Sequence, residues 1–504
     1  MKRIYVYLLA ALSLPSVAGA LPANCGKSGD LRGFDDFADA AKAQFDSLVN
    51  AADREYNDLL EQSWKEFVAL AGDTIPRWRT GPTPVEIKKE EQQRLEQDRE
   101  WKIEIIETPR PQPAPEPAPR PTPQPAPMPV PLPQGKLKFD LYGSKWEVTD
   151  CPDVKLASTS NYDVSAAWTA LNSGAYANIV NDCLELRRQK NLCDWLYMTM
   201  VHRLAAAKCP DNHNAASMLA GYILLNSDMQ VKYALVDDSL EVMFACDAVM
   251  YYRSSGYMNG KRYYCFNRPK FGNYISYDDC GNVRGRPVDV ELKTPLLDST
   301  VCQLRTMSTH SGEPSISVSV CNGLMKFYSD YPSCAYMDNF VSRWAICARA
   351  PFSPEVQETF YPELRKAVEG KTPFEAVDLI LSMCQNSLPY GYDDEIWGGD
   401  RAFYPEESLY YPKSDCEDHA IIFARIIKDI LDYDVALIYV PEPAHVFAAV
   451  CPPAGHDIEG DYIVIGDRNY YICEPTVSGG HLPAGRCGSA ITLDEAKAID
   501  VYHR

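Results

Sequence analysis

The chain has 504 residues, of which 46% are hydrophobic, and carries a formal net charge of -20 at pH 7. This length provides for two or three domains, and this share of apolar side chains is enough to fill their cores. A strongly acidic surface repels the phosphate backbone of nucleic acids, so we expect no nucleic-acid partner.

The first 20 residues have the three parts of a secretory signal peptide. Lys2 and Arg3 supply positive charge, the stretch from Tyr7 to Val17 is mostly apolar, and Ala18-Gly19-Ala20 is typical of a cleavage site. The apolar run is too short for a typical membrane span. We therefore expect an exported protein in the periplasm, on the cell surface or outside the cell, with no transmembrane segment after signal cleavage.

The cysteine content points to the same compartment. The chain has 17 cysteines, and an even number remains when Cys416, discussed below, is set aside. In an oxidising compartment such a set favours disulfide bonds, whose connectivity the sequence does not reveal. No cysteine or histidine cluster has the spacing of a structural zinc site.

Residues 31–107 are predicted to be helical. Apolar residues recur every eleven positions, close to three helical turns, in two rows that share one helix face: Phe34, Phe45, Tyr56 and Phe67, and Phe37, Leu48, Leu59 and Leu70. One apolar stripe needs a covering surface. Residues 34–70 therefore fold back on the chain, self-associate as a coiled coil or bind a partner helix. A second, charged helix is predicted from Pro84 to Glu107.

Residues 108–135 are predicted to be a proline-rich linker. Every odd-numbered residue from Pro109 to Pro133 is proline, a pattern that favours polyproline II over helix or sheet. At about 3.1 Å per residue, this stretch would span roughly 80 Å. We interpret it as a semi-rigid spacer between two modules, and the alternative is a ligand for a proline-recognition domain.

Residues 136–355 are predicted to form an accessory region of mixed helices and strands. Helices are expected over 161–208 and 212–227, a hairpin around Asn259-Gly260, and strands over 315–320 and 324–328. No catalytic motif stands out in this region. The acidic loop after Tyr390 differs in spacing from a calcium loop and is interpreted as a solvated turn; its acidic residues are Asp393, Asp394, Glu395 and Asp400.

The clearest chemical pattern lies in residues 356–504. Ser414 is predicted to cap a helix, with Glu417 completing a capping box and Cys416 in the first turn. The free amide groups and the dipole at a helix N-terminus lower the pKa of a thiol. The carboxylates on either side of Cys416 oppose this effect, so a histidine must supply much of the activation.

His445 and Glu474 complete a candidate catalytic triad. His445 begins a predicted strand, and Glu474 follows a predicted hairpin. A sheet built from these strands would place His445 opposite the helix N-terminus, with Glu474 holding its second ring nitrogen. The predicted roles are nucleophile for Cys416, general acid and base for His445, and orienting carboxylate for Glu474. His419 is a competing base, Asp467 competes with Glu474, and Cys416 could instead pair in a disulfide.

Three strings in residues 362–504 resemble the transglutaminase-like superfamily, most closely its bacterial cysteine proteinases: Asp415-Cys416-Glu417-Asp418-His419-Ala420, His445 at a strand start, and Glu474-Pro475-Thr476. The resemblance implies an α+β, papain-like core in which the helix carrying the cysteine packs on an antiparallel sheet. It implies no required cofactor, although in some such proteinases carboxylates flanking the cysteine bind calcium, here Asp415 and Glu417. The chain departs from the family in having Glu474 where aspartate is usual, and Ser414 where glycine is often found.

These observations predict an exported cysteine peptidase or amidase that acts on protein or peptide substrates through a thioester. The backbone amide of Cys416 and the side chain of Gln385 are candidate oxyanion donors. Two alternatives stay open. A protein-crosslinking acyltransferase shares the same acyl-enzyme, and a catalytically inactive domain would serve as a binding scaffold.

Overall fold

The computed structural model describes residues 85–86, 100–101, 103–108, 135–277, 285–298, 301–336, 339–393, 397, 400–478, 480–488, 491, 493 and 495–502. All of them lie in one compact unit, Arg77–Arg504. The predicted signal peptide (1–20), the repeat helix (34–70) and the prolines of the linker lie outside the described residues.

The described residues have a mixed α+β fold. Their helices are α1 (Asn161–Leu171), α2 (Ala177–Gln189), α3 (Asp194–Lys208), α4 (His213–Leu225), α5 (Met325–Asp330), α6 (Arg343–Arg349), α7 (Pro354–Val368), α8 (Pro373–Ser387), α9 (Pro405–Tyr410) and α10 (Cys416–Leu431). None of these helices is long and apolar enough to cross a membrane.

The strands are β1 (Val85–Glu86), β2 (Glu100–Trp101), β3 (Glu104–Ile106), β4 (Lys136–Leu141), β5 (Ser144–Thr149), β6 (Val231–Val236), β7 (Ser239–Ala245), β8 (Val249–Met250), β9 (Ser255–Met258), β10 (Lys261–Cys265), β11 (Tyr274–Ser276), β12 (Cys302–Ser308), β13 (Ser315–Cys321), β14 (Cys334–Ala335), β15 (Asp434–Val440), β16 (His445–Cys451), β17 (Tyr462–Ile465), β18 (Arg468–Cys473), β19 (Val477–Ser478) and β20 (Lys497–Tyr502). The strand expected over 324–328 is helical instead.

A seven-stranded sheet with the order β2-β17-β18-β16-β15-β20-β3 supports the C-terminal region. Its central strands are antiparallel, and α10 packs against β15 and β16. Alternation along β15 places Val435 and Leu437 in the core shared with α10, and Ala436 and Ile438 in a second core. The sheet is therefore buried on both faces, which fixes the register of β15 and β16.

Residues 100–101 and 104–106 are strands of this sheet, so the helix predicted from Pro84 to Glu107 is wrong at these residues. β2 pairs with β17 at one edge and β3 pairs with β20 at the other, both in parallel. β2 and β3 are separated by two residues in the chain, yet they lie at opposite ends of the strand order. Ile103 and Ile105 pack against the second core. Their alternation with Lys102 and Glu104 is a strand pattern that the helical prediction overlooked.

Both ends of the proline-rich segment are attached to the same compact unit. Thr108 donates a hydrogen bond from Oγ1 to the carbonyl of Asp500 at 2.5 Å and accepts one from Arg349. At the other end, the amide of Asp150 donates to the carbonyl of Gly135 at 2.9 Å. Thr108 and Gly135, the two ends of this segment that the structure describes, thus belong to the same compact unit.

The accessory region shares its core with the C-terminal region. Leu196 of α3, Phe244 of β7 and Ile421 of α10 belong to one continuous cluster of buried apolar residues. The β12–β13 hairpin also packs against α7 and α8. The boundary expected at residue 355 therefore does not separate two hydrophobic cores.

One pair of the described cysteines is joined by a disulfide bond. Among the described cysteines, Cys302 and Cys321 form a disulfide across the β12–β13 hairpin. The other described cysteines apart from Cys487, which number twelve, are free thiols and nearly all are buried. A buried thiol packs as a small apolar group, so most of these cysteines are explained by the core that surrounds them.

Candidate active site

The helix that carries the candidate nucleophile begins one residue later than predicted. α10 starts at Cys416 with Asp415 as its N-cap, and the carboxylate of Asp418 accepts the amide of Asp415 at 3.4 Å. Asp418 also accepts the amide of Phe403 at 2.7 Å. The capping box therefore uses Asp415 and Asp418 instead of Ser414 and Glu417, which leaves the side chain of Glu417 available for the site.

His445 and Glu474 form a buried pair, as predicted from their positions on the strands. His445 is the first residue of β16 and Glu474 directly follows β18, the neighbouring strand. Nε2 of His445 lies 2.6 Å from Oε2 of Glu474, and each side chain is 1% exposed. The other carboxylate oxygen accepts the amide of Thr476 at 2.8 Å. The carboxylate of Glu474 therefore joins the imidazole of His445 to the backbone amide of Thr476.

The second ring nitrogen of His445 remains available. Its Nδ1 is buried and has no hydrogen-bond partner among the described residues. Burying a ring nitrogen without a hydrogen-bond partner costs about 1–3 kcal/mol. A hydrogen-bond partner that Nδ1 gained during catalysis would remove this cost. A ring held at Nε2 by a carboxylate and open at Nδ1 is suited to taking a proton from a thiol.

Cys416 lies beside this pair. Its thiol accepts a hydrogen bond from the amide of Val446, the residue after His445, and the side chain is 3% exposed. The thiol donates to Oε2 of Glu417 at 3.3 Å. The structure thus brings Cys416, His445 and Glu474 to one buried place, with the thiol proton directed toward Glu417.

The electrostatic surroundings oppose ionisation of this thiol. Burial, followed by the negative charges of Glu417 and Asp415, raises the pKa of Cys416 well above its usual range. The amide of Val446 acts in the opposite direction and is outweighed. The expected lowering of the thiol pKa at the helix N-terminus is therefore wrong for this arrangement of the side chains.

A carboxylate cluster surrounds the start of α10, formed by Asp393, Asp400, Asp415, Glu417 and Asp418; Asp393, Glu417 and Asp418 are buried, Asp415 is half-buried and Asp400 is exposed. In two sets of three residues, carboxylate oxygens lie within 4.8 Å of one another: the first set is Asp393, Asp400 and Glu417, and the second is Asp393, Asp415 and Asp418. Carboxylate oxygens of Asp415 and Glu417 also lie within 4.8 Å of each other and of the Cys416 sulfur. Burial and the charge of Glu417 raise the pKa of Asp393 to about 8. Arg343 balances part of this charge, at 2.7 Å from Asp400 and 3.7 Å from Glu417.

The carboxylate cluster offers oxygen atoms that are close enough together to hold a metal ion. Carboxylate oxygens are the ligands that calcium prefers. One of them, Oδ1 of Asp415, is buried without a hydrogen-bond partner in the described part of the chain. Sequence reasoning placed Asp415 and Glu417 here but treated the loop of Asp393 as a solvated turn. Asp393 is in fact 6% exposed. The feature of the sequence that could have indicated its place in the cluster is the grouping of carboxylates between Tyr390 and Arg401.

The competing triad residues do not occupy catalytic positions. Nδ1 of His419 lies 3.4 Å from the carbonyl of Pro475, and burial lowers the pKa of His419 to about 4. His419 is thus a neutral, buried histidine that faces the backbone of Pro475. Asp467 lies in the turn before β18, at the opposite end of that strand from Glu474.

The side-chain amide of Gln385, a predicted oxyanion donor, contacts the loop that follows Glu474. Its Nε2 donates to the carbonyl of Glu474 at 2.8 Å and to that of Leu482 at 2.9 Å. Both amide protons are therefore used, and Gln385 is 8% exposed. It anchors the loop that follows Glu474 and leaves the Cys416 amide as the remaining predicted oxyanion donor.

Neither a protein-family model, nor a curated protein, nor a solved structure matches this chain. A functional assignment therefore depends on the geometry of the site itself.

Proposed function

We propose that this chain is a cysteine peptidase or amidase with a transglutaminase-like, papain-like catalytic core. The observation that carries the proposal is the buried pair of His445 and Glu474 beside Cys416, which lies at the start of a helix packed on an antiparallel sheet. This arrangement supplies a nucleophile, a base and an orienting carboxylate from three separate elements.

In this mechanism His445 removes the thiol proton of Cys416 at Nδ1, and the sulfur attacks the carbonyl carbon of a peptide or carboxamide. The carbon–nitrogen bond then breaks, the departing amine takes the proton from His445, and a thioester remains. A water molecule, deprotonated by His445, hydrolyses the thioester and regenerates the thiol. Throughout, Glu474 keeps the ring oriented and stabilises its positive charge.

In the proposed enzyme, the site rests in an inactive arrangement. The thiol proton is held by Glu417, and the three catalytic side chains are at most 3% exposed. Activation must therefore turn the thiol from Glu417 toward Nδ1 of His445 and admit the substrate.

We infer that the carboxylate cluster binds calcium through Asp415 and Glu417, with Asp393 and Asp418 nearby. A bound calcium ion would supply positive charge that neutralises these carboxylates. With its charge neutralised, Glu417 would no longer hold the thiol proton, which His445 could then accept. Asp415 and Glu417 would thus control the ionisation of Cys416 without contacting the substrate.

A binding scaffold is the second candidate function. It is favoured by the burial of Cys416 and by the raised pKa of its thiol, both of which oppose nucleophilic attack. An acyltransferase differs from the hydrolase only in the group that accepts the acyl unit, so it is tested by adding a primary amine.

Alkylation of the unreduced protein by iodoacetamide, with peptide mapping from pH 5 to 9 and with or without calcium, tests the proposal. We expect Cys416 to react faster than the other thiols once calcium is present, and His445→Ala to abolish this difference. His456→Ala, in an exposed loop, is the matched control. Reaction of Cys416 no faster than in denatured protein, under every condition, would support the scaffold.

A further inference from the structure

Residues 248–277 differ in charge from the chain as a whole. They contain five basic residues and no acidic one, whereas the whole chain has a net charge of -20. The basic residues are Arg253, Lys261, Arg262, Arg268 and Lys270. The same stretch contains seven tyrosines and includes β9, β10 and β11. It is therefore a basic, tyrosine-rich part of an acidic protein.

The fold brings the two edges of one sheet together in this region. The strand order is β11-β6-β7-β10-β9, so β9 and β11 lie at opposite edges. Yet the hydroxyl of Tyr274 on β11 donates to the carbonyl of Tyr257 on β9 at 3.1 Å. Gly256 makes room for this contact, because a Cβ there would lie 2.5 Å from the Tyr274 ring. The sheet is therefore strongly curved, and β9 and β11 contribute to adjoining surface.

The loop after β10 extends the same surface. The amide of Ser254 donates to the carbonyl of Pro269 at 2.7 Å, and the amide of Phe271 donates to Oγ of Ser254 at 3.3 Å. The ring of Phe271 packs edge-on against Tyr274, with centroids 5.9 Å apart. We call the exposed and half-buried side chains along this surface the basic tyrosine patch: Tyr252, Tyr257, Lys261, Arg262, Lys270 and Ile275.

The basic tyrosine patch exposes large side chains, one of which is held in place. Tyr252 is 74% exposed, Tyr257 is 61% exposed and Ile275 is 69% exposed. Nε of Arg262 donates to the Tyr257 hydroxyl at 3.0 Å, and its guanidinium lies 5.7 Å from the centre of the ring. A side chain that is already ordered loses little conformational entropy on binding. Tyrosine and arginine are also enriched at protein interfaces, where they supply much of the binding energy.

The lysines of the basic tyrosine patch are not neutralised by carboxylates. Lys261 donates to the side-chain oxygen of Gln230, a neutral group, at 2.9 Å. Neither Lys261 nor Lys270 forms an ion pair within the described part of the chain. Arg268, by contrast, lies 3.0 Å from Glu241. Carboxylates of a partner would form charge-assisted hydrogen bonds with these lysines, so the patch is complementary to an acidic partner.

We propose that the basic tyrosine patch is a docking surface for an extended polypeptide segment rich in aspartate and glutamate. The carboxylates of this segment pair with Lys261 and Lys270, and its backbone and apolar side chains lie against Tyr252 and Tyr257. Charges interact over about 8 Å at physiological ionic strength, so the acidic surface elsewhere repels the docked segment only weakly. The surface uses no residue of the proposed catalytic site and represents a separate binding function.

Binding of short, fluorescein-labelled poly-L-glutamate to the full chain, followed by fluorescence anisotropy, tests the proposal. We expect saturable binding that weakens as sodium chloride is added. The double variant Lys261→Gln/Lys270→Gln should bind about threefold to tenfold more weakly. Lys138→Gln/Lys145→Gln removes the same charge from exposed positions on β4 and β5 and should bind like the wild type. Equal weakening in the two double variants, or no saturable binding, would overturn the proposal.

Two further measurements define the partner and the role of the tyrosines. Tyr252→Ala/Tyr257→Ala should weaken binding of poly-L-glutamate but leave its salt dependence in place, because these rings carry no charge. Labelled polygalacturonate and phosphatidylglycerol vesicles present negative charge without a polypeptide, and we expect both to bind less tightly. Tighter binding of either one, lost in Lys261→Gln/Lys270→Gln, would overturn the assignment to a polypeptide. None of these measurements involves Cys416, so their outcome is independent of the proposed function.

Discussion

Nε2 of His445 lies 2.6 Å from Oε2 of Glu474, and both side chains are almost completely buried. This pair joins the first residue of β16 to the residue that directly follows β18, the neighbouring strand. A glutamate serves here because its longer side chain reaches two donors at once, the imidazole of His445 and the amide of Thr476. The pair also leaves Nδ1 of His445 available to the thiol of Cys416.

Shortening or neutralising Glu474 should slow the reaction of Cys416. Glu474→Gln removes the charge that stabilises the His445 cation, and we expect a rate of alkylation or hydrolysis lower by about tenfold to a hundredfold. Glu474→Asp retains the charge but cannot reach both donors, so a smaller loss is expected. Asp467→Asn is the control. An aspartate variant as active as the wild type would contradict this account of the glutamate.

Glu417→Gln should make the Cys416 thiol easier to ionise. The charge of Glu417 is the largest contribution after burial to the raised pKa of Cys416, and its carboxylate accepts the thiol proton. We expect the pH profile of Cys416 alkylation, measured without calcium, to move to lower pH. The exposed Glu459→Gln should leave the profile in place. A shift to higher pH would mean that Glu417 promotes ionisation.

Calcium should stabilise the folded protein through the carboxylate cluster. A ligand that binds only the folded state adds about 2.7 kcal/mol at a concentration one hundred times its dissociation constant. We therefore expect the unfolding midpoint to rise with calcium in the wild type and in Glu459→Gln. Asp415→Asn and Asp393→Asn should reduce this rise. An equal rise in all four proteins would place the calcium elsewhere.

Residues 100–108 should be needed for the stability of the C-terminal sheet. Ile106 of β3 is 6% exposed, and Ile106→Ala should lower the free energy of unfolding by about 2–4 kcal/mol in urea titrations. Val464→Ala, on β17 and 38% exposed, is the matched control and should cost much less. Equal losses in the two variants would show that β3 does not belong to the sheet.

His202 should make the protein less stable in acid. Burial lowers the pKa of His202 from 6.5 to about 3, so protonation favours the unfolded chain. The stability due to neutral His202 is complete above the unfolded pKa near 6.5 and is lost as pH falls toward 3. Between pH 7 and 5 this loss is on the order of 2 kcal/mol.

His202→Phe should remove this part of the pH dependence and retain the aromatic stacking on Phe266, whose ring centroid lies 4.2 Å away. Urea unfolding at pH 7 and pH 5 measures the difference. The exposed His456→Phe serves as the control. If His202→Phe loses as much stability as the wild type over this interval, another group is responsible.

The helix of Cys416 and the strand of His445 could be predicted from the sequence because their signals are local. A capping pattern precedes a regular series of apolar residues in α10, and a continuous apolar run marks β16. The predicted cap was wrong by one position because Ser414, Asp415, Glu417 and Asp418 all suit a helix start. Which of them pairs depends on Phe403, whose amide binds Asp418.

The carboxylate cluster and the role of Gln385 could not be predicted in this way. Asp393 is buried because the fold places its loop against α10, and no property of the loop sequence distinguishes a buried carboxylate from a solvated one. Gln385 lies 89 residues before Glu474, whose carbonyl it binds. A contact over such a distance leaves no periodic signal in either segment.

The sequence by itself determined the chemical identities at the site and their order along the chain: a cysteine at a helix start, a histidine at a strand start and a glutamate after a hairpin. Capping and apolar periodicity act between neighbouring residues, so these features can be read locally. The tertiary structure decided that the Cys416 thiol faces Glu417, that burial raises the pKa of this thiol, and that β2 and β3 pair with β17 and β20. These outcomes depend on burial and charge contributed by distant segments, which come together only in the folded chain.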